Sequence, residues 1–243
     1  MTKKEFQRDG LSWNELAEKG ELAAVLDPLG SQRKNYYIHT IHVQMLSKAL
    51  RRVHKGRILD FGCGTGRISR WLASHGWDVA GIDISPGMLT KAKELTPSSA
   101  PVSFLEYDGL HIPYDDEQFD AVVTVYVLQY PIKYPDSLVL IANELHRVLK
   151  PGGRLSCIEI TDKQQLSVGN YTDQITSAGF TLVHDEPVRL RFDRYMNYAQ
   201  RRFIPMSFIP VLGRLGIWEC RRKYMQGRMP PNWWDHLYIF ERK

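Results

Sequence analysis

Three acids and three glycines are the residues whose type and spacing could do chemistry. Asp60, Asp83 and Asp108 each close an apolar run, and Gly62, Gly64 and Gly66 follow the first of them in "ILDFGCGTGR". Alternate glycines let a backbone take left-handed angles and let a ligand approach the main chain closely. Two ligand classes compete for such a turn. A dinucleotide turn reads G-x-G-x-x-G and sets a pyrophosphate on the following helix. Here the spacing is G-x-G-x-G, and Arg67 stands in the place of the third dinucleotide glycine. A phosphate loop needs Gly-Lys-Ser/Thr, which this turn lacks. Asp60 would repel phosphate, but it could attract an amino group or a cation.

The other two acids narrow the choice. Asp83 is placed to accept hydrogen bonds from both hydroxyls of a ribose, and Asp108, followed by Gly109, is an acceptor for an adenine amino group. The set suits an adenosine with a cationic, amino-acid-like tail and no phosphates. S-adenosylmethionine fits that description.

The elements that must position these residues alternate. Strand patterns in "GRILDFG", "WDVAGIDI", "VSFLEYD", "FDAVVTVYVL" and "GRLSCIEI" alternate with helix patterns in "GRISRWLASHG", "SPGMLTKAKEL" and "PDSLVLIANELHRVL". Ser85 suits an N-cap and Pro86 the first helical turn. This alternation predicts a parallel sheet with helices on both faces. After it come a helix in "NYTDQITSAGF" and two strands, "TLVHDEPVRL" and "DHLYIFERK". Before it, "WNELAEKGELAAVL" has a short helical pattern. "SQRKNYYIHTIHVQMLSKALRR" places Tyr37, Ile41, Met45 and Leu46 on one helix face.

Composition bounds the class. A chain of 243 residues predicts one domain with an elaboration. Cys63, Cys157 and Cys220 are isolated, so neither a disulfide framework nor a zinc site is read, and a reducing cytoplasm is the expected compartment. There is no N-terminal apolar signal and no run near the ~20 apolar residues of a membrane span. The net charge of +5 is unevenly spread. Between Arg189 and Trp234 lies a segment read as an irregular insertion, where ten Arg and Lys face two acids. It also holds the apolar "FIPMSFIPVLGRLGIW", broken by Pro205 and Pro210. Basic and apolar together point to an anionic or greasy partner.

The segments "LDFGCGTG", "VAGIDISPGML", "YDGLHIPYDDEQFDAVVTVYVLQY" and "LHRVLKPGGRL" resemble, in order and spacing, the motifs of class I S-adenosylmethionine-dependent methyltransferases, most of all the small-molecule branch. The resemblance runs from about Arg57 to Ile160. It implies a Rossmann-like, seven-stranded, mostly parallel sheet with an antiparallel C-terminal hairpin. Residues 1–56 would form a helical segment over the active site, ahead of a core from residue 57 to 243. It further implies that Gly62, Gly64 and Gly66 shape the turn under the methionine moiety, with Cys63 at a variable position, and that Asp60 holds that region or meets the amino group. Asp83 would take the ribose, with Ile84 and Met88 beside the adenine. Asp108 would meet the adenine amino group, Gly109 and Leu110 would line its slot, and Thr124 and Val125 would pass near the methionine part.

Methyl transfer from a sulfonium needs alignment and, for a hydroxyl acceptor, a base. The Asn/Asp-Pro-Pro-Tyr/Phe signature of base-amino methylation is absent from "TVYVLQY", and nucleic acid is disfavoured as a partner. Candidate catalytic groups are His39, His42, Tyr126 and Tyr130. Tyr37, Gln129, His184, Arg201, Arg202 and His236 are candidates for holding the acceptor. The expected activity is methylation of an O or C centre of a small, anionic or amphipathic metabolite. Two rivals stand beside it: a peripheral membrane enzyme, docked on an anionic surface and acting on a lipid or quinone, and a cofactor-binding module without transferase activity. The sequence does not set the oligomeric state.

Overall fold

The computed structural model describes residues 7–8, 11–128, 137–161, 168–190, 193–228 and 234–243. A two-residue pair, β1 (Gln7–Arg8) and β2 (Leu11–Ser12), leads into α1 (Trp13–Ala17) and α2 (Glu21–Val25). The single helical pattern expected over this stretch breaks at Gly20, whose φ of 98° cannot continue a helix. Ser12 caps α1 through the Glu15 amide while Glu15 reaches back to the Ser12 amide, a reciprocal capping box.

Helix α3 (Gln32–Ala49) starts where the Ser31 hydroxyl accepts from the Lys34 amide. It buries Tyr37, Ile38, Ile41, Met45 and Leu46, a stripe at helical spacing. The alternating core follows: β3 (Arg57–Phe61), α4 (Arg67–Ser74), β4 (Asp78–Asp83), α5 (Pro86–Leu95), β5 (Val102–Glu106), β6 (Phe119–Val125), α6 (Ser137–Val148) and β7 (Leu149–Thr161). The chain closes with α7 (Val168–Ser177), β8 (Phe180–Leu190), α8 (Arg194–Ala199), α9 (Ile209–Met225) and β9 (Trp234–Arg242).

Seven strands form one sheet in the order β5-β4-β3-β6-β7-β9-β8. The first five are parallel, and β9 runs antiparallel between β7 and β8. The central strands are buried on both faces. Ile58, Val79 and Val123 join the cluster under α3 and α9, while their neighbours Leu59, Ala80 and Val122 join the cluster under α6 and α7. This period of two on both faces is what a doubly covered parallel sheet requires. Fully burying each large apolar side chain contributes roughly 1.5–3 kcal/mol.

The insertion is more ordered than its sequence suggests. A 17-residue helix, α9, runs through the apolar stretch because Pro210 sits in its first turn, where no backbone N–H is needed. Its buried residues Ile209, Leu212 and Ile217 pack in the α3 cluster.

The sheet order reverses at β3, which has β4 on one side and β6 on the other. A crevice opens at the carboxyl ends of these strands, the usual ligand position in such sheets. The glycine turn, Asp83 and the end of β6 all lie there.

Candidate cofactor cleft and the buried polar chain beside it

At the turn after β3, Gly62, Gly64 and Gly66 take φ of 70°, 54° and 74°. A Cβ on Gly62 would stand 2.4 Å from a Val127 methyl, and one on Gly64 would stand 2.6 Å from a Val25 methyl. Both the angle and the space exclude side chains here. The amides of this turn point inward. Those of Gly62 and Cys63 donate to the Ile82 carbonyl at 2.9 Å, and that of Gly64 donates to Asp83 Oδ2 at 2.8 Å. A phosphate loop aims such amides at an anion; here they are spent on the end of β4.

Asp83 is the polar centre of the cleft. Its Oδ1 accepts from the Ser85 amide at 2.9 Å, so each oxygen holds one backbone N–H and keeps a lone pair for a ligand hydroxyl. Burial pushes its pKa up to about 6, against the pull of these amides. The cleft opens on one side to solvent and spans about 780 Å³ when the solvent at its mouth is counted. Its walls are mostly apolar: Trp13, Val25, Phe61, Ile84, Met88, Val125, Val127 and Ile141, with Tyr107 and Tyr126. One ionised group in an apolar slot of this size suits a flat heterocycle carrying a diol.

Residues 13–25 close one side. Asn14 Oδ1 accepts from the Ser85 hydroxyl at 2.8 Å and the Gly87 amide at 3.0 Å, seating α1 on the start of α5. The Thr65 hydroxyl donates to the Glu21 carbonyl at 2.8 Å, and Arg70 pairs with Glu21, so α2 is tied to the glycine turn. Trp13 and Val25 thereby reach the wall, although neither has a sequence signature beyond being apolar.

Of the residues expected around the cofactor, Gly62, Gly64, Asp83, Ile84, Met88, Gly109 and Val125 line the cleft. The others do not. Asp60 is buried behind the turn and accepts from the Ser69 hydroxyl at 2.6 Å, which pins α4 to β3. Burial raises its pKa to about 6. Gly66 is the N-cap of α4, and Cys63 is buried with its thiol pKa pushed up by burial, so it is no nucleophile. Thr124 is fully buried in β6, and its hydroxyl has no partner among the described residues. Asp108 is not among the residues lining the cleft. Its carboxylate accepts from the His111 amide at 2.7 Å, the His111 ring at 3.0 Å and the Leu110 amide at 2.8 Å, which together lower its pKa to about 2. These bonds fold the loop after β5 and leave one lone pair on Oδ2. Gly109 alone of that trio faces the slot.

The candidate acceptor residues are more scattered. Tyr37 is fully buried and donates to Asp193 Oδ1 at 2.9 Å. His184 pairs with Glu186 near Lys48, His236 is buried against Asp185 and stacked on Tyr238, and Arg201 and Arg202 are exposed after α8. None of these five lines the cleft. Gln129 and Tyr130 lie outside the described residues.

A buried polar chain runs from the cleft wall into the helical cap. Tyr126 ends β6 with φ of 62°, a left-handed conformation that is rare for a bulky residue. Its amide is held by the Ile158 carbonyl at 2.8 Å, and its hydroxyl lies 3.0 Å from His42 Nε2. On the far side of the His42 ring, Nδ1 receives Arg67 at 3.2 Å, and the same guanidinium reaches His39 Nδ1 at 3.2 Å. Arginine can only donate, so both Nδ1 atoms present lone pairs and both rings carry their proton on Nε2. Burial first, then the Arg67 charge, lowers His39 to about 3; burial chiefly lowers His42 to about 4. Both rings are neutral at physiological pH, and neither Nδ1 is free to take a proton from an acceptor. Arg67 itself is 5% exposed, with no carboxylate in ion-pair range among the described residues, and burial lowers its pKa to about 10. Beyond His42 the chain ends in Asp235, 3.7 Å from His42 Nε2 and paired with Arg189 at 2.6 and 3.1 Å. Burial would raise Asp235, but Arg189 overrides it and holds it at about 2.

Sequence reasoning noted Arg67 only as a missing glycine and read Asp235 and Arg189 as strand residues. The buried register that joins them across β8 and β9 has no local signal.

Residues 59–157 match the family model described as a methyltransferase domain. A demethylmenaquinone methyltransferase of Clavibacter sepedonicus is 33% identical over 148 residues, covering 58% of this chain and 59% of that protein. The chain spans 41% to 59% of the length of the first three curated relatives it matches. Among solved structures, an S-adenosylmethionine-dependent methyltransferase of Mesorhizobium loti superposes with a TM-score of 0.58 at 19% identity, covering 83% of this chain and 98% of that one. The [4+2]-cyclase SpnF superposes with a TM-score of 0.60 at 20% identity, covering 84% and 80%. Because that fold-mate is named for another reaction, the fold alone does not give the chemistry. The methyltransferase-domain match, spanning the strands that build the cleft, supplies what the fold does not: residues 59–157 carry a methyltransferase domain, similar to that of the S-adenosylmethionine-dependent methyltransferases.

Proposed function

We propose that this chain methylates an O or C centre of a small, amphipathic and acidic acceptor, with S-adenosylmethionine as donor. One observation carries the cofactor part. Asp83 is a buried carboxylate facing an apolar slot, beside a glycine turn whose amides are turned away from it. That arrangement fits a phosphate-free adenosine: Asp83 would hold the ribose hydroxyls, and Ile84 and Met88 would flank the base. When bound, S-adenosylmethionine supplies a methyl group on a positively charged sulfur.

The chain's own work is alignment and exclusion of water. Trp13, Val25, Phe61 and Val125 wall off the slot, and Tyr126, held by its backbone and by His42, fixes the wall at the end of β6. Since His39 and His42 turn their lone pairs to Arg67, the acceptor must lose its proton without them. A hydroxyquinone or other electron-poor enol meets that condition, because its hydroxyl ionises well below the pH of about 10 of an ordinary phenol. The name of the Clavibacter relative supports a quinone-class ring.

Calorimetry with S-adenosylhomocysteine tests the cofactor half. Micromolar affinity is expected, and no heat at millimolar ligand would refute it. Incubation with labelled S-adenosylmethionine and a panel of phenols, hydroxyquinones and quinols tests the acceptor half. Labelling confined to amines would overturn it.

A further inference from the structure

We propose that the outer face of α9 and the turn before it form a docking surface for an anionic lipid bilayer. The helix has two faces of different fate. Gly213, Gly216, Ile217 and Cys220 press against α3, closely enough that a Cβ on Gly216 would meet the Tyr37 hydroxyl at 2.2 Å. The opposite face carries Val211, Leu215, Trp218 and Met225 at helical spacing, all exposed, with Trp218 at 54% and Met225 at 79%. Phe203, at 74%, Met206 and Phe208 extend the same exposure before the helix begins. Contiguous exposed apolar side chains of this size mark an interaction site rather than ordinary surface.

Charge names the partner. From Asp193 to Arg228 there are eight Arg and Lys and two acids, a net of +6, which leaves the rest of the chain at −1. Some of these cations are spent within the fold: Arg194 and Lys223 pair with Glu219, and Arg221 with Glu186. Others are interleaved with the apolar face itself. Arg222 lies 5.3 Å over the Trp218 ring, Arg201 lies 5.2 Å over Tyr198, and Arg214 is exposed between Val211 and Leu215. An amphipathic helix with Arg among Trp, Leu and Met lies in the plane of a membrane interface, its apolar side chains below the headgroups and its cations among the phosphates. A nucleic acid would use the rings and arginines but would leave Val211, Leu215, Met206 and Met225 without an apolar partner. Lipid satisfies both.

The consequence for the enzyme rests on the methyltransferase reading, though the docking itself does not. Helix α9 packs on α3, and α3 reaches the cleft wall through His42 and Tyr126. A bilayer beneath α9 would bring an amphipathic acceptor to the same side of the molecule as the cap.

The test is co-sedimentation of the cofactor-free full chain with phosphatidylcholine vesicles, with and without about one third phosphatidylglycerol. Binding at least tenfold tighter to the anionic vesicles is expected, falling about tenfold or more between 50 and 500 mM salt. Leu215→Gln with Trp218→Gln, both exposed, should weaken it at least fivefold, and Arg214→Gln with Arg222→Gln should do likewise. Unchanged cofactor affinity and circular dichroism would show that these variants fold. No sedimentation at 50 mM salt would overturn the proposal. So would vesicle binding that ignores the apolar pair while an oligonucleotide binds as tightly, since that pattern describes a polyanion site. Because the assay omits the cofactor, failure here leaves the methyltransferase reading standing, and failure of cofactor binding leaves the docking surface standing.

Discussion

Lowering the pH from 7 to 5 should weaken S-adenosylhomocysteine binding about tenfold, through Asp83 alone. The carboxylate ionises near 3.8 when free in solution and at about 6 in the fold, because burial disfavours its charge. The folded state therefore holds the proton more tightly than the unfolded one. Asp83's contribution to stability is complete below pH about 4 and is lost as the pH rises through 6, a cost of about 3 kcal/mol to the cofactor-free fold at pH 7. A ribose diol reverses part of that cost, since two hydroxyl donors favour the charged form. If the ligand selects ionised Asp83, the observed Kd scales as one plus the ratio of protonated to ionised carboxylate. That factor is about 1.1 at pH 7 and about 11 at pH 5 for a pKa of about 6. Calorimetry from pH 5.0 to 7.5 in constant salt reads it directly. Asp60 has a similar pKa but faces Ser69 behind the turn, so Asp60→Asn should keep the pH dependence. Asp83→Asn should abolish it and bind roughly 10- to 100-fold more weakly at pH 7, the worth of one charge-assisted acceptor. An affinity flat across this range, or a dependence that disappears in Asp60→Asn, would refute the placement of the ribose.

Three further outcomes follow from the same geometry. Asp60→Asn should stabilise the cofactor-free protein at pH 7 by about 1 kcal/mol in thermal denaturation, since it removes a buried charge and its amide oxygen can still accept from Ser69; a loss larger than that would show that the charge is needed. Arg189→Met should cost about 3–5 kcal/mol in urea unfolding, because it leaves the Asp235 carboxylate buried without its guanidinium, and a cost below about 1 kcal/mol would mean the pair is not formed. Long-range 1H–15N correlations should show His39 and His42 neutral, with the proton on Nε2, down to pH 5; titration of either near 6.5 would free it to act as a base.

The cofactor half of the site was legible because its determinants are local. Gly62, Gly64 and Gly66 each need a left-handed φ, and Ser85-Pro86 starts a helix, so a few consecutive residues state the turn geometry by themselves. The parallel sheet followed from alternation, and the antiparallel closing hairpin from the family resemblance, while the strand order came only with the structure. Asp108 shows the limit even here. At the end of a strand it carries the right chemistry, but its Asx-type bonds to Leu110 and His111 engage the carboxylate in closing its own loop, and sequence spacing alone does not show such bonds. Pro210 misled in the opposite direction. Proline breaks a helix interior but opens a helix in its first turn, and only the position of the helix start decides which.

The acceptor side was not legible because its determinants meet across long sequence separations. His42 and Tyr126 are 84 residues apart, and Arg189 and Asp235 are 46 apart. A histidine near a presumed pocket looks like a base in sequence, because its solution pKa lies close to neutrality. What decides the matter is which nitrogen carries the proton, and here a buried arginine from another helix fixes it. Arg67 can only donate, so it demands the Nδ1 lone pairs of both His39 and His42, while burial first, with the Arg67 charge behind it, keeps both rings neutral. The same residue that rules out a dinucleotide glycine motif therefore also removes the two leading base candidates. It leaves a buried positive charge behind the cleft wall, with no carboxylate within ion-pair distance among the described residues, although Asp60 and Glu21 act on it from farther off. A site built this way favours an acceptor that arrives already acidic. Under the proposed function an acidic enol or hydroxyquinone therefore suits the site better than an amine or an unactivated alcohol, and a neutral alcohol accepted at full rate would refute the proposed role of these histidines.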